Sequence, residues 1–255
     1  TFTSFTSAVD TTNEDTAVEI TLADLLAQGN EADVDGSVTA FVVKSVTSGI
    51  LKIGTSSANA TAWNASTNAI VDATNNAYWT PAADANGILN AFTAVAKDNE
   101  GAESATAITV TVNATAVNDA PTLTTPAVIT ITDTSSTDNF AVINGSLVAA
   151  DVDANTTLTY SIAGVSAVDG IATKVGTYGT LVLSAATGAY TYTPNNAAIN
   201  ALTANNSETF IFGVSDGMVT TTANLVVNLV AANDTPSLQT PAGITITDTS
   251  ATDNF

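Results

Sequence analysis

The chain has no cysteine, histidine or arginine, and its only basic side chains are four lysines: Lys44, Lys52, Lys97 and Lys174. Without cysteine no disulfide can brace the fold, and the redox compartment cannot be read from thiols. Without histidine and cysteine the preferred ligands of zinc and other transition metals are missing. The same gap leaves carboxylates as the groups for acid–base catalysis, which narrows any enzyme to glycoside hydrolysis by two facing acids in a cleft. With so little positive charge, nucleic acid and anionic membrane surfaces are excluded as partners. No run of about 18 apolar residues occurs, so direct membrane insertion is not expected. There is one methionine, and aromatics make up 6% of the chain.

What is abundant is acid and small apolar bulk. Among 255 residues, 24 are Asp or Glu, giving a net charge of −20, while 45% are hydrophobic. That apolar share is ordinary for folded chains, so low charge content does not signal disorder. Alanine, valine, isoleucine and threonine dominate, and the β-branched ones favour pleated, half-buried surfaces. The expectation is an all-β protein.

The sequence also restarts. Residues 121–140 read PTLTTPAVITITDTSSTDNF and residues 236–255 read PSLQTPAGITITDTSATDNF, a period of 115 residues. That period is a whole domain rather than a solenoid turn. Short acidic hinges precede the copies, Asn118-Asp119-Ala120-Pro121 and Asn233-Asp234-Thr235-Pro236. The expected organisation is 1–10 as the end of a preceding linker, 11–116 and 117–231 as two repeats, and 232–255 as the start of a third.

Period-two alternation marks the strands. In the first repeat it covers 17–22, 38–44, 50–53, about 90–96 and 106–117, with Tyr78-Trp79-Thr80 ended by Pro81. A helical turn is predicted at Leu22–Gln28, stopped by Gly29. The second repeat offers 129–132, 141–149, 157–163, 180–183, 190–193, 210–214 and 225–229. About seven short strands per repeat, spaced by turn signals, predict a β-sandwich. Trp63, Trp79 and the Tyr190/Tyr192 pair read as packing rather than as a ligand platform.

Several acids keep register between repeats. Asp33-Val34-Asp35 matches Asp151-Val152-Asp153, Asp98 matches Asp216, and Asn118-Asp119 matches Asn233-Asp234. An Asp-x-Asp pair in a loop puts two hard oxygen ligands within reach of one cation. Calcium accepts 6–8 oxygens in forgiving geometry, and magnesium is more demanding, so calcium is the expected ion. The plainer alternatives are a solvated acidic coat and Asp side chains that cap turns.

At this point the residues resemble a known family. Asn13-Glu14-Asp15-Thr16, Asp33-Val34-Asp35-Gly36 and Val117-Asn118-Asp119-Ala120-Pro121 look like the cadherin-like repeats of very large bacterial surface proteins. Gly176-Thr177-Tyr178-Gly179-Thr180-Leu181, Gly188-Ala189-Tyr190-Thr191-Tyr192-Thr193-Pro194 and Val214-Ser215-Asp216-Gly217 resemble the VCBS repeat of the same adhesins, which are of RTX type. The resemblance implies tandem Greek-key β-sandwiches of cadherin or immunoglobulin-like type, joined by short acidic linkers. It also implies export by type I secretion, an extracellular or cell-surface location, and structural calcium at domain junctions.

Carried over residue by residue, it implies ligands from Glu14 or Asp15, Asp98 and Glu100 at the base of one repeat. Asn118 and Asp119 would come from the linker, and Asp151 and Asp153 from the next repeat. Asp216, Asn233 and Asp234 would serve the following junction, and Asp33 and Asp35 a preceding one. The second repeat has Ile129-Thr130-Ile131-Thr132-Asp133 in place of Asn13-Glu14-Asp15, so its base glutamate is missing. One or two ions per junction are expected.

The function implied is that of a non-catalytic, calcium-stiffened spacer of an adhesin or extracellular fibre, whose partners are neighbouring repeats of its own chain. The alternative is a subunit of a self-assembling filament, sheath or surface layer. In that reading other copies of the chain are the partners, with Ile244-Thr245-Ile246-Thr247 adding to a neighbour's sheet edge.

Overall fold

The computed structural model describes residues 1–135, 137–234, 236, 238 and 240–247. By internal contacts the chain divides into two units, Thr1–Asp119 with Val152–Ala154, and Ala120–Asp151 with Asn155–Phe255.

In unit 1 the strands are β1 (Asp10–Asn13), β2 (Val18–Ile20), β3 (Val38–Val46), β4 (Ile50–Gly54), β5 (Thr61–Ala62), β6 (Ile70–Asp72), β7 (Asn76–Thr80), β8 (Gly87–Asp98) and β9 (Ile108–Thr115). They form two sheets, ordered β1-β9-β8-β3-β6 and β2-β7-β4-β5. The chain changes sheet between β1 and β2, β2 and β3, β3 and β4, β5 and β6, β6 and β7, and β7 and β8, so each sheet is stitched to the other many times. Alternation decides what lies inside. In β9, Val110, Val112 and Ala114 are buried while Thr109 and Asn113 face solvent. Phe41, Val43, Phe92, Val110 and Val112 from one sheet meet Ile20, Leu51, Ile53 and Trp79 from the other in a single apolar core. This is a β-sandwich.

Helix α1 (Leu22–Gln28) follows β2 and carries a capping box, in which Thr21 and Asp24 each accept the other's backbone N–H. Its Leu25 is fully buried. Trp79 is also fully buried and donates its indole N–H to the Ser48 carbonyl at 2.8 Å. Gly49 sits beside it at φ +68, where an added Cβ would lie 2.2 Å from the Thr80 carbonyl oxygen. Only glycine fits a backbone that is both left-handed and this close to its neighbour.

Unit 2 contains β10 (Thr122–Leu123), β11 (Ile129–Thr132), β12 (Ile143–Ser146), β13 (Ala149–Ala150), β14 (Thr159–Ile162), β15 (Ile171–Val175), β16 (Gly179–Ser184), β17 (Ala189–Pro194), β18 (Asn206–Ser215) and β19 (Thr220–Val230). Two four-stranded sheets run β11-β19-β18-β14 and β12-β17-β16-β15, and β10 pairs with β13. Between the larger sheets pack Leu181, Leu183, Tyr192, Phe210, Phe212, Leu225 and Val227. Glu208 ties this core together. Its carboxylate accepts the Tyr192 hydroxyl at 2.6 Å and the backbone N–H groups of Thr177 and Tyr178. A short helix, α2 (Asn196–Asn200), buries Ile199.

Both units repeat one unusual device. The first strand of the shared pattern runs parallel, not antiparallel, to the last. β1 pairs with β9 through Asp10↔Val112 to Asn13↔Thr115, and β11 pairs with β19 through Ile129↔Val227 to Thr132↔Val230.

One reading of the sequence needs adjustment. Thr1–Asp10 is not a bare linker end, because Phe2 and Val9 are buried in the core of unit 1 and Phe2 stacks edge-on against Phe41. The tryptophans pack as expected, with Trp79 fully buried and Trp63 half-buried against the core. In the last stretch, residues 235, 237, 239 and 248–255 lie outside the described residues, including much of the expected third repeat. Ile244 and Ile246, copies of the buried Ile129 and Ile131, are 90% and 65% exposed and belong to no strand.

Truncating Trp79 to alanine removes the largest fully buried side chain of unit 1. We expect Trp79→Ala to destabilise that unit by about 3–5 kcal/mol, measured by denaturant unfolding.

Candidate cation sites

The parallel pairing of β1 sets up the first site. Past Asn13 the strand ends, and the next residue, Glu14, still donates its backbone N–H to the Thr115 carbonyl at 3.0 Å. Its side chain is therefore carried inward and is only 4% exposed. One carboxylate oxygen accepts the Val117 N–H at 2.6 Å and the other accepts the Asn86 side-chain amide at 3.0 Å. These bonds, the Val117 one foremost, hold the Glu14 carboxyl below its ordinary pKa against the opposing effect of burial.

Around Glu14 collect Asp119 and Asp153, with one oxygen of each within 4.8 Å of the others. Asp15, Asp84 and Asp119 form a second group with the same spacing. Asp119 belongs to both, so unit 1 gathers five carboxylates. The backbone here is specialised: Asp15 and Asp84 both adopt left-handed φ, +57 and +58, and the Asp84 N–H bonds to the Asp15 carboxylate at 3.2 Å. Asp tolerates this region better than most residues, yet two such residues in contact concentrate strain at the site. The Asp119 N–H donates to Asp153 at 2.8 Å.

Asp119 carries the electrostatic cost. Burial raises its pKa, and the charges of Asp84, Asp153, Glu14 and Asp15 add to the rise. A folded-state value above the unfolded one means that ionised Asp119 opposes folding at neutral pH. The penalty fades as pH falls through that folded-state value.

Unit 2 builds the equivalent place with different residues. After β11, Asp133 donates its backbone N–H to the Val230 carbonyl at 2.9 Å, as Glu14 does to Thr115. Its side chain is 2% exposed, and among the described residues neither carboxylate oxygen has a hydrogen-bond partner. A bare carboxylate buried this deeply is costly unless a cation or a proton joins it. Asp138 is fixed nearby in sequence by the hydroxyls and backbone N–H groups of Thr134 and Ser135, which bring its carboxyl down to about 2. Asp234 is pushed up by burial, then by the charges of Asp133 and Asp138. Asp234 stands as far past Val230 as Asp119 stands past Thr115.

The other sequence-predicted ligands fall elsewhere. Asp98 and Glu100 lie at the opposite end of β8 from Asn86, and a strand of 12 residues spans roughly 35 Å or more. Asp98 caps a turn there, accepting the N–H groups of Glu100 and Ala102 at 2.9 and 2.8 Å. Asp216 does the same after β18, accepting from Met218 and Val219. Each stands at the end of its strand away from the hinge, because β8 and β18 run antiparallel to the closing strands that lead into it. Asp33 shares a small cleft with Asp98 and Glu103, and Asp35 is exposed. Asp151 belongs to unit 2. Asn118 bonds the Asp119 carbonyl, and Asn233 is exposed. The sequence reading missed Asp84, Asn86, Asp133 and Asp138. Counting back from the closing strand to its parallel partner would have found Asp133.

All the donors gathered are hard oxygens, and the unpartnered Asp133 carboxylate fits an oxygen-seeking divalent ion such as calcium. Among the described residues, no helix is long and apolar enough to cross a membrane.

No protein-family model matches the sequence, and no curated protein matches it. Similar solved structures include human mucin-like protocadherin EC1-2, at 17% identity over 91% of this chain and 98% of that one, with TM-score 0.40. Chicken VE-cadherin EC1-2 is 12% identical over 87% of this chain and 96% of that one, with TM-score 0.38. An endo-fucoidan hydrolase of glycoside hydrolase family 107 is 18% identical over 90% of this chain but only 28% of its own, with TM-score 0.29.

In a chelator, Asp119→Asn is expected to raise the melting temperature of the intact chain by a few degrees at neutral pH. The gain should shrink as the pH is lowered into the carboxylate range, read by parallel thermal melts.

Proposed function

We propose that the chain is a non-catalytic structural spacer of an extracellular repeat protein, stiffened by calcium, with two sandwich repeats and a further one beginning at 232. The observation that carries this reading is the group of five carboxylates after β1, together with the buried Asp133 after β11, whose carboxylate has no hydrogen-bond partner among the described residues. Five carboxylates gathered in one unit repel one another unless a cation is present. A divalent ion there would join chain segments that are far apart in sequence: Glu14-Asp15, the loop holding Asp84, the exit at Asp119, and Asp153.

Such an ion would fix those segments to one another, and stiffness is what a spacer projecting an adhesive end from a cell surface requires. Repeated placement of the acids also argues for architecture over catalysis. An adhesin of bacterial origin agrees with the sequence resemblance to cadherin-like and VCBS repeats. In this reading the partners are neighbouring repeats.

The test is a thermal melt of the full chain with calcium titrated against a chelator. At a hundredfold excess over the dissociation constant, each native-only site adds about 2.7 kcal/mol. A saturable rise of several degrees, lost in Asp119→Ala with Asp153→Ala, is the expected outcome. A melt indifferent to calcium would reduce the acids to a solvation coat.

The exposed Ile244 and Ile246 favour a second reading, a filament or layer held by strand addition between copies. It predicts concentration-dependent association, seen by light scattering, that Ile244→Asp with Ile246→Asp abolishes.

A further inference from the structure

The amide that touches Glu14 belongs to an Asn-Gly pair, Asn86-Gly87. We propose that Asn86 is a site of spontaneous deamidation, which converts its carboxamide into a carboxylate inside the acidic group of unit 1.

In this chemistry the backbone nitrogen of the following residue attacks the Asn side-chain Cγ. The new N–Cγ bond closes a five-membered succinimide, the amide nitrogen leaves as ammonia, and it takes up the proton lost by the backbone nitrogen. Water then opens the ring to aspartate or isoaspartate, and no oxidant or cofactor is consumed. Glycine permits the attack because no Cβ crowds the nucleophilic nitrogen. Both residues are exposed, Asn86 lies outside any strand, and Gly87 opens β8 at φ +90 with no heavy atom within 4 Å of where a Cβ would sit.

A second Asn-Gly pair supplies an internal contrast. Asn144-Gly145 lies within β12, in register with Tyr190 and Thr191 of β17. The Asn144 side chain accepts the Thr191 hydroxyl at 2.9 Å, and the Tyr190 ring lies 2.2 Å from the place of a Gly145 Cβ. Strand pairing and this covering ring hold Asn144 away from ring closure unless the strand opens.

The product changes the site. Glu14 loses a hydrogen-bond donor at 3.0 Å and gains a like charge in its place. Without a cation the unit is weakened; with one, a further oxygen ligand is available. This consequence rests on the calcium reading, whereas the conversion itself does not.

The experiment incubates the full chain at mildly alkaline pH and follows each Asn-Gly peptide by mass spectrometry, with enzymatic methylation of isoaspartate as a second readout. Asn86 is expected to convert on the order of tenfold faster than Asn144, with isoaspartate among the products, and Asn86→Gln should abolish that signal. Retention of the Asn86 amide over the time in which Asn144 converts would overturn the proposal. The consequence is read on Asn86→Asp: a lower melting temperature in chelator and a larger calcium-dependent rise than in the parent chain. If the parent chain ignores calcium, the calcium reading fails while the mass measurement still decides the deamidation. If Asn86→Asp melts like the parent in both conditions, the proposed effect on the site is wrong.

Discussion

The parallel pairing of the first strand of each sandwich with its last is the constraint on which the rest depends. An antiparallel partner for β9 would come directly off a hairpin and bring its turn with it. A parallel partner arrives from the far side of the sandwich and stops where the closing strand stops. The residue following it is therefore delivered to the end of the unit, next to the exit of the chain. In unit 1 that residue is Glu14 and in unit 2 it is Asp133. Both are buried because backbone hydrogen bonds to Thr115 and Val230 fix where they enter, not because a carboxylate favours the interior.

The two units solve the resulting problem differently. Glu14 is long enough to reach the Val117 N–H and the Asn86 amide, so its charge is answered by protein donors. Asp133 is one methylene shorter and its oxygens meet no donor among the described residues. The same backbone position is thus solvated by the protein in one repeat and left open in the other. The consequence of the shorter side chain is that the demand for an external positive charge is greater in unit 2, even though fewer carboxylates surround it. Glu208, which binds Tyr192 and two backbone N–H groups, shows that unit 2 satisfies a carboxylate fully where its role is packing.

Much of the architecture was legible because long, half-buried strands announce themselves. β9, β16 and β19 alternate Val, Leu or Ile with Thr, Ser or Asn, and α1 shows its capping residues and its terminating glycine. The strands that escaped notice, β1, β5, β6, β10, β13 and β15, are short or lie at edges. β1 reads Asp-Thr-Thr-Asn, with no apolar side at all, and its pairing is made by the backbone alone. The site was legible only in part for the same reason. Glu14, Asp119 and Asp153 were recognisable from motif and register, but Asp133 follows from a strand pairing that its neighbours do not spell out. Asp98 and Asp216 were misplaced because register identifies equivalent residues without saying at which end of a strand they stand.

The placement of Val152–Ala154 in unit 1 has a temporal meaning. The Asp119 amide finds its acceptor in Asp153, 34 residues further along. During synthesis or export in N-to-C order, the first sandwich can close its sheets long before that residue arrives, yet its acidic group stays incomplete until the following repeat has begun to form. The first sandwich therefore matures in two stages, its sheets first and its acidic group only once the chain 34 residues past Asp119 has emerged.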